Sequence, residues 1–259
     1  MTVTIAVEAL LWLLGVMTVV WLVSFVRRDL STVDLFWAVA ILVAAWVYFG
    51  AANVVYVRHL VVLGLVHLWG FRLSFYLLRR NWGQPEDRRY RAMRERRGKS
   101  FAWTSLFIVF WLQAIVAWLI SLPLYVALTL TVSQQLTWLD WFGLVVFTVG
   151  FSFEVVGDWQ LAHFKNNPAH SSQVCDRGLW RYTRHPNYFG EAVLWWGLSC
   201  FALGIPGSGW VIIGPVFMTL LLLKVSGVSL VEQHLRHTKA GYDAYASRTS
   251  AFIPWFPKA

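Results

Sequence analysis

Residues 5–26 read IAVEALLWLLGVMTVVWLVSFV, an apolar run that holds one charged residue, Glu8, and is followed directly by Arg27 and Arg28. A helix that crosses the hydrocarbon core of a bilayer needs about 20 mostly apolar residues. Because no basic segment precedes the run, we interpret it as a membrane span and not as a secretion signal. The composition agrees, since 58% of the 259 residues are hydrophobic and 14% are charged, whereas soluble domains carry about a quarter charged residues.

Six further apolar runs follow, so the sequence predicts an all-α integral membrane protein. We expect a bundle of seven transmembrane helices in one membrane domain over residues 1–259. The predicted spans are Ile5–Val26, Val33–Gly50, Val54–Leu78, Phe101–Val132, Leu139–Ala162, Tyr188–Leu203 and Trp210–Val231. Pro123 is expected to kink the fourth span or to end it.

The basic residues predict the orientation of these spans. They concentrate in alternate connections and in the tail, whereas the opposite loops carry none. The positive-inside rule then places the amino terminus outside and the carboxyl terminus in the cytoplasm. It also accounts for the net charge of +9 without nucleic acid as a partner. The densest cluster, Arg88–Lys99, has two interpretations, namely contact with anionic lipids or a share in binding an anionic cofactor.

Several ionisable residues fall within the predicted spans, where their burial is costly and points to function. Pairs four or eight residues apart share one face of a helix. These pairs are Glu154 with Asp158, Asn187 with Glu191, and Lys224 with Glu232. We expect them to line a polar pocket beside Lys165 that opens to the cytoplasm.

Residues 178–191 read GLWRYTRHPNYFGE. A residue before proline avoids the α region, and proline suits the first turn of a helix, so Pro186 predicts the start of the sixth span. The unpaired N–H groups of that turn can bind an anion. Arg181 and Arg184 add guanidinium groups that suit phosphate or carboxylate. No Rossmann glycine motif, P-loop or metal-binding motif occurs in the sequence, so we expect no metal site.

The sequence resembles the steroid 5α-reductase family, and more narrowly its bacterial members. The resemblance rests on the element Arg184-His185-Pro186-Asn187-Tyr188, on the preceding Glu154/Asp158 span and on the closing stretch Phe252–Pro257. It covers roughly the whole chain and is strongest from Gly150 onward. The Arg-His-Pro-x-Tyr element also occurs in sterol reductases and isoprenylcysteine carboxyl methyltransferases.

This resemblance implies a seven-helix membrane enzyme that binds NADPH in a cytoplasm-facing cavity. Such an enzyme reduces the 4,5 double bond of a 3-oxo-Δ4-steroid or a related enone lipid. The substrate side would be residues 1–132 and the cofactor side residues 133–259. The cofactor residues of the family carry over to Asp158, Lys165, Asn187 and Glu191. The further candidate cofactor-binding residues, singled out from the sequence itself, are Glu154, Arg181, Tyr182, Arg184, His185, Tyr188, Lys224 and Glu232. The sequence departs from the family pattern at Lys165, Glu154 and Glu232, where an arginine, an amide and a tyrosine are expected.

The resemblance also implies the catalytic residues. In animal members, an acidic residue on the second span and a tyrosine on the third hold the steroid ketone. Asp34 falls near the first position and Trp69 near the second, and Tyr76, two turns further on, offers a phenol in its place. A carboxylic acid at membrane depth stays protonated more readily and can then donate to the ketone oxygen. Alternatively, Asp34 caps the second span.

Two other functions remain open at this stage. The same loop can serve a methyltransferase that uses S-adenosylmethionine, and a lipid-binding or scaffold protein needs no catalysis at all. For the enzyme, we expect a monomer in the lipid bilayer, in the inner membrane if the source is bacterial.

Overall fold

A computed structural model of the protein describes residues 2–131, 134–170, 172–225 and 228–258. These residues are almost entirely helical and contain no β-strand; one isolated bridge joins Thr183 to Ser250. The α-helices are α1 (Thr2–Arg27), α2 (Thr32–Gly50), α3 (Val57–Asn81), α4 (Arg88–Arg97), α5 (Phe101–Ser105), α6 (Leu112–Thr129), α7 (Trp138–Lys165), α8 (Pro186–Leu203), α9 (Ile213–Leu220), α10 (Val228–Thr238) and α11 (Tyr242–Arg248).

Within the described residues, five helical segments are long and apolar enough to cross a membrane, so the protein is a multi-pass integral membrane protein. They are Val3–Arg27, Thr32–Gly50, Val57–Asn81, Arg88–Thr129 and Trp138–Lys165. These segments match the first five predicted spans. The fourth begins at Arg88 and not at Phe101, because the basic helix α4 and a 3-10 turn at Gly98–Ser100 precede its apolar part.

Pro123 does not end the fourth segment. It lies inside α6, which continues to Thr129 and follows a π-helical segment, Leu106–Trp111. The predicted end of that span at Val132 lies outside the described residues.

The last two predicted spans correspond to shorter pieces. The run Tyr188–Leu203 lies within α8. The run Trp210–Val231 comprises a 3-10 turn at Gly209–Ile212, then α9, a π-helical segment at Leu221–Val225 and the start of α10, with residues 226 and 227 outside the described chain. The count of seven spans and their orientation therefore stay predictions.

The first of two compact units comprises Met1–Leu136 and Phe201–Val211. Its central helix is α2, which packs against α1, α3 and α6. Small residues let helices approach closely within a bilayer. The buried small residues of α2 are Ala38, Ala40, Ala44 and Ala45. On α3, a Cβ atom added at Gly70 would lie 2.8 Å from the Leu42 side chain.

The second unit comprises Thr137–Cys200 and Ile212–Ala259. A capping box begins α7, in which the Thr137 N–H donates to the Asp140 carboxylate at 2.7 Å. Helices α7 and α8 then cross with their backbones in contact. A Cβ atom added at Gly190 would lie 2.4 Å from the Glu154 nitrogen, and one added at Gly197 would lie 2.5 Å from the Phe147 nitrogen. This close crossing places the first turns of α8 against the part of α7 that carries the buried carboxylates.

Candidate functional site

In the first unit, four polar side chains form a connected group that we name the Asp34 cluster: Asp34, Asp87, Arg89 and Tyr90. The Tyr90 hydroxyl donates to Asp34 Oδ1 at 2.7 Å, and Arg89 Nη2 donates to Asp34 Oδ2 at 2.9 Å. Arg89 also donates to Asp87 from Nε at 3.0 Å and from Nη2 at 3.1 Å. Tyr90 is buried. The cluster thus combines a carboxylate, a phenol and a guanidinium within hydrogen-bond distance.

The loop before α4 brings this cluster together. The Asp87 N–H donates to the Ser31 hydroxyl at 2.7 Å, and the Leu30 N–H donates to Glu86 Oε1 at 3.0 Å. Arg94 donates to the same Glu86 oxygen at 2.6 Å. These bonds hold the start of α4 on the start of α2.

Asp34 does not cap α2. The helix begins at Thr32 with Ser31 as its N-cap residue, and the Ser31 N–H donates to Asp29. Both Asp34 carboxylate oxygens accept bonds from side chains of α4 instead. The carboxylate therefore belongs to a side-chain cluster that joins α2 to α4.

The other two predicted catalytic residues, Trp69 and Tyr76, lie on α3, whereas Asp34 lies on α2. Trp69 is fully buried and contacts Trp37 edge to face, with ring centroids 6.2 Å apart. Tyr76 lies beneath two guanidinium groups, with Arg72 at 5.2 Å and Arg80 at 5.8 Å from its ring centroid. The phenol that bonds Asp34 is thus Tyr90. The sequence analysis did not assign it, although it is the one aromatic residue in the run from Arg88 to Lys99.

In the second unit, a second group of polar side chains forms around the Arg-His-Pro element. It comprises Arg184, His185 and Glu232, and we name it the Arg184 cluster. Arg184 Nε donates to Glu232 Oε1 at 2.7 Å. Its Nη1 donates at 2.7 Å to the carbonyl oxygens of Ala246 and Thr249. Arg184 is therefore not the free guanidinium that the loop pattern predicted, because it binds α10 and the end of α11.

The protonation of this cluster follows from its surroundings. Burial lowers the pKa of His185, and Arg184 adds to this effect, although Glu232 opposes it. Burial alone would raise the pKa of Glu232, but hydrogen bonds from His185 and Arg184 outweigh it and bring that pKa to about 2. At neutral pH, a neutral His185 thus faces an ionised Glu232, with Nε2 and Oε1 3.3 Å apart. The His185 ring also stacks on Tyr188 at 5.5 Å.

The buried polar residues of α7 and α8 meet as the sequence predicted. Asn187 Nδ2 donates to Asp158 Oδ1 at 2.9 Å. Asn187 Oδ1 is buried and has no hydrogen-bond partner among the described residues. Glu154 and Glu191 are buried near them, on the crossing made by Gly190. This group offers an amide and several carboxylates to a ligand.

The remaining predicted residues are more exposed. Lys165 lies at the end of α7 and lines a cavity of about 210 Å³. Arg181 is exposed, and the Tyr182 carbonyl accepts from the Trp255 N–H at 2.9 Å. Lys224 is also exposed, in the segment Leu221–Val225, and its place in a polar pocket with Glu232 stays a prediction.

Comparisons with known proteins identify the family of the chain. The family model described as "Protein of unknown function (DUF1295)" matches residues 20–249. The chain is also 24% identical to an uncharacterized protein of Schizosaccharomyces pombe over 262 residues, an alignment that covers 91% of this chain and 76% of the yeast protein. Since the family match spans most of the chain, the protein belongs to the DUF1295 family.

Proposed function

We propose that the protein is an NADPH-dependent membrane reductase that acts on the 4,5 double bond of 3-oxo-Δ4-steroids or of related enone lipids. The observation that carries the proposal is the 2.7 Å hydrogen bond between the Tyr90 phenol and the Asp34 carboxylate. A phenol and a carboxyl group side by side are suited to hold a ketone oxygen and to stabilise the enolate that forms when an enone is reduced.

The chemistry of the Asp34 cluster supports this role. A ketone oxygen that replaces Asp34 as the acceptor for Tyr90 receives a hydrogen bond from a buried hydroxyl. Negative charge that develops on this oxygen is stabilised by the phenol and by the nearby Arg89 guanidinium. Asp34 positions both donors before the ketone binds, with distances of 2.7 and 2.9 Å, and it keeps its bond to Arg89 once the ketone has taken the Tyr90 hydroxyl. Preorganised donors of this kind each contribute about 10²–10³ to the rate.

The second unit offers groups that suit NADPH. The buried Asn187 Oδ1 needs a donor, and Asp158, Glu154 and Glu191 can accept hydrogen bonds from ribose hydroxyls or a carboxamide. Lys165 adds a positive charge for phosphate. When bound, NADPH would supply a hydride to the β carbon of the enone, and the resulting enolate would then take a proton from water at the α carbon. The protein residues bind, orient and neutralise charge.

The proposal includes the membrane topology that the basic residues predict. Seven spans place the amino terminus outside, with the Asp34 cluster and the Arg184 cluster at cytoplasmic ends of helices. A monomer can take its apolar substrate directly from the bilayer. Reporter fusions at the two termini test this topology, and a cytoplasmic amino terminus would contradict it.

Thermal unfolding of the purified protein with NADPH, NADH or S-adenosylmethionine tests the cofactor assignment. A ligand present at 100 times its Kd stabilises the folded protein by about 2.7 kcal/mol. We expect NADPH to raise the Tm. Stabilisation by S-adenosylmethionine alone would favour the methyltransferase, and stabilisation by none of the three would favour a lipid-binding or scaffold protein.

A further inference from the structure

The second unit contains a cavity of about 210 Å³ between the end of α7, the 3-10 turn at Gly178–Arg181 and the segment that joins α10 to α11. Three basic side chains line it: Lys165, Arg184 and Lys239. No aspartate or glutamate occurs among its lining residues in the described chain. Because Glu232 offsets the charge of Arg184, the excess of positive charge comes from the two lysines, and it favours an anion.

The uncharged part of the lining adds a hydrogen-bond donor. The Tyr242 hydroxyl is buried, and no acceptor for it occurs among the described residues. Burial raises the pKa of Tyr242 to about 12, so the phenol keeps its proton at neutral pH. By contrast, the hydroxyl of Tyr245, which also lines the cavity, donates to the Trp180 carbonyl. Tyr242 is therefore a donor in need of an acceptor.

The volume limits what can enter. Pockets for whole ligands are larger, at about 300–1,000 Å³. A phosphate group fits the cavity, whereas a dinucleotide does not.

We propose that this cavity binds a phosphate monoester through Lys165, Lys239 and Tyr242. The inference deepens the proposed function, because the 2′-phosphate of NADPH is such a group and NADH lacks it. Lys239 and Tyr242 were not assigned from the sequence. Arg184 contributes charge, while its Nε and Nη1 atoms stay bonded to Glu232 and to two carbonyl groups.

The test compares the Kd values of NADPH and NADH for the natural protein and three variants. Lys239→Ala removes a cation from the cavity, Tyr242→Phe removes only the hydroxyl, and Lys258→Ala is the control, because Lys258 is an exposed lysine of the tail that does not line the cavity. We expect Lys239→Ala to weaken NADPH binding about tenfold or more and to leave NADH binding unchanged. Tyr242→Phe should weaken NADPH binding severalfold, and Lys258→Ala should have no effect. Equal losses for NADPH and NADH, or no loss, would overturn the inference.

Further probes separate this inference from the proposed function. If the natural protein binds neither NADPH nor NADH, the proposed function fails, and the cavity is then tested with inorganic phosphate and with 2′-AMP. Weaker binding of both in Lys239→Ala would support the cavity as a phosphate site, and unchanged binding would overturn it. Displacement of 2′-AMP by phosphatidic acid in nanodiscs would identify a lipid headgroup as the source of the phosphate and overturn the assignment to NADPH.

Discussion

At the scale of single residues, the proposed chemistry depends on the Tyr90 phenol and the Asp34 carboxylate. Tyr90→Phe removes the donor, and Asp34→Asn removes the acid while it keeps the size of the side chain. We expect each change to lower the single-turnover rate of reduction of a 3-oxo-Δ4-steroid by about 10²–10³. The rate is measured from the loss of the enone with NADPH in excess.

Tyr76→Phe is the matched control, because Tyr76 contacts Arg72 and Arg80 and we assign it no contact with the ketone. It should keep a near-normal rate. Full activity in Tyr90→Phe, with loss of activity in Tyr76→Phe, would return the ketone site to the position that the sequence analysis assigned.

The protonation of His185 and Glu232 predicts how stability depends on pH. Because the pKa of His185 is below its ordinary value of 6.5, the unfolded chain binds a proton that the folded chain does not. Stability should therefore fall as pH drops below about 6.5. The pKa of Glu232 is lowered from 4.5 to about 2, so a further loss should follow between these values.

Thermal unfolding between pH 8 and pH 4 measures the first of these losses, and hydrogen exchange of α10 between pH 4.5 and pH 2 follows the second. In Glu232→Gln, the step below pH 4.5 should disappear. A Tm that stays constant from pH 8 to pH 5 would contradict the burial of a neutral His185.

Residue roles were only partly predictable from the sequence. The positions of Asp158 on α7 and of Asn187 at the start of α8 predicted a shared polar site. The two side chains do form a hydrogen bond. Tyr90 could not be assigned in the same way, because it lies in an arginine-rich run typical of a lipid-facing segment. Its place beside Asp34 depends on loop contacts from Glu86 and Asp87, which have no sequence signature.

At the scale of elements, Arg184 fastens the carboxyl-terminal helices to the start of α8. Arg184→Ala would leave the Glu232 carboxylate and two carbonyl groups without this donor. Because the pair is mostly buried, with side-chain exposures of 11% and 14%, we expect a loss of about 2–4 kcal/mol in the free energy of unfolding. An arginine that served only to bind phosphate could be replaced without this loss of stability.

Hydrogen exchange measures this effect directly, since amides of α10 and α11 should exchange faster in Arg184→Ala. Arg181→Ala is the control, because Arg181 is exposed, and its exchange should match that of the natural protein. Unchanged protection of α11 in Arg184→Ala would contradict the fastening role.

The crossing of α7 and α8 makes a separate prediction. A methyl group at Gly190 would lie 2.4 Å from the Glu154 nitrogen and 2.5 Å from the Gly150 oxygen. Because both contacts are with backbone, the helices would have to move apart, and Gly190→Ala should cost about 1–3 kcal/mol or more. Gly64→Ala is the control, since nothing lies within 4 Å of a Cβ atom there. Removing a glycine from the interior of α3 should stabilise by about 0.5–1 kcal/mol.

Denaturant or thermal unfolding of the two variants gives the comparison. Equal stability of Gly190→Ala and the natural protein would mean that the two helices do not touch at this point.

The length of the apolar runs predicted the first five spans well, because hydrophobic length has a direct physical meaning in a bilayer. The last run was harder, because a continuous apolar sequence carries no mark of the 3-10 and π-helical segments at Gly209–Ile212 and Leu221–Val225.

At the scale of the whole molecule, the proposal assigns the ketone to the first unit and the cofactor to the second. Composition and hydropathy predicted a multi-pass membrane protein, since few other folds tolerate 58% hydrophobic residues. Neither property identifies a reaction. The proposal of enone reduction therefore rests on the Asp34 cluster.

The claim that the protein reduces an enone with NADPH is tested most directly by a single turnover. The NADPH used is deuterated at its hydride-donating carbon. The purified protein in lipid nanodiscs is mixed with a 3-oxo-Δ4-steroid, and the product is analysed by mass spectrometry. The account predicts a 5α-reduced steroid that carries one deuterium at the β carbon, formed by the natural protein and barely formed by Tyr90→Phe. A steroid that stays unreduced, or a reduced product without deuterium, would contradict it.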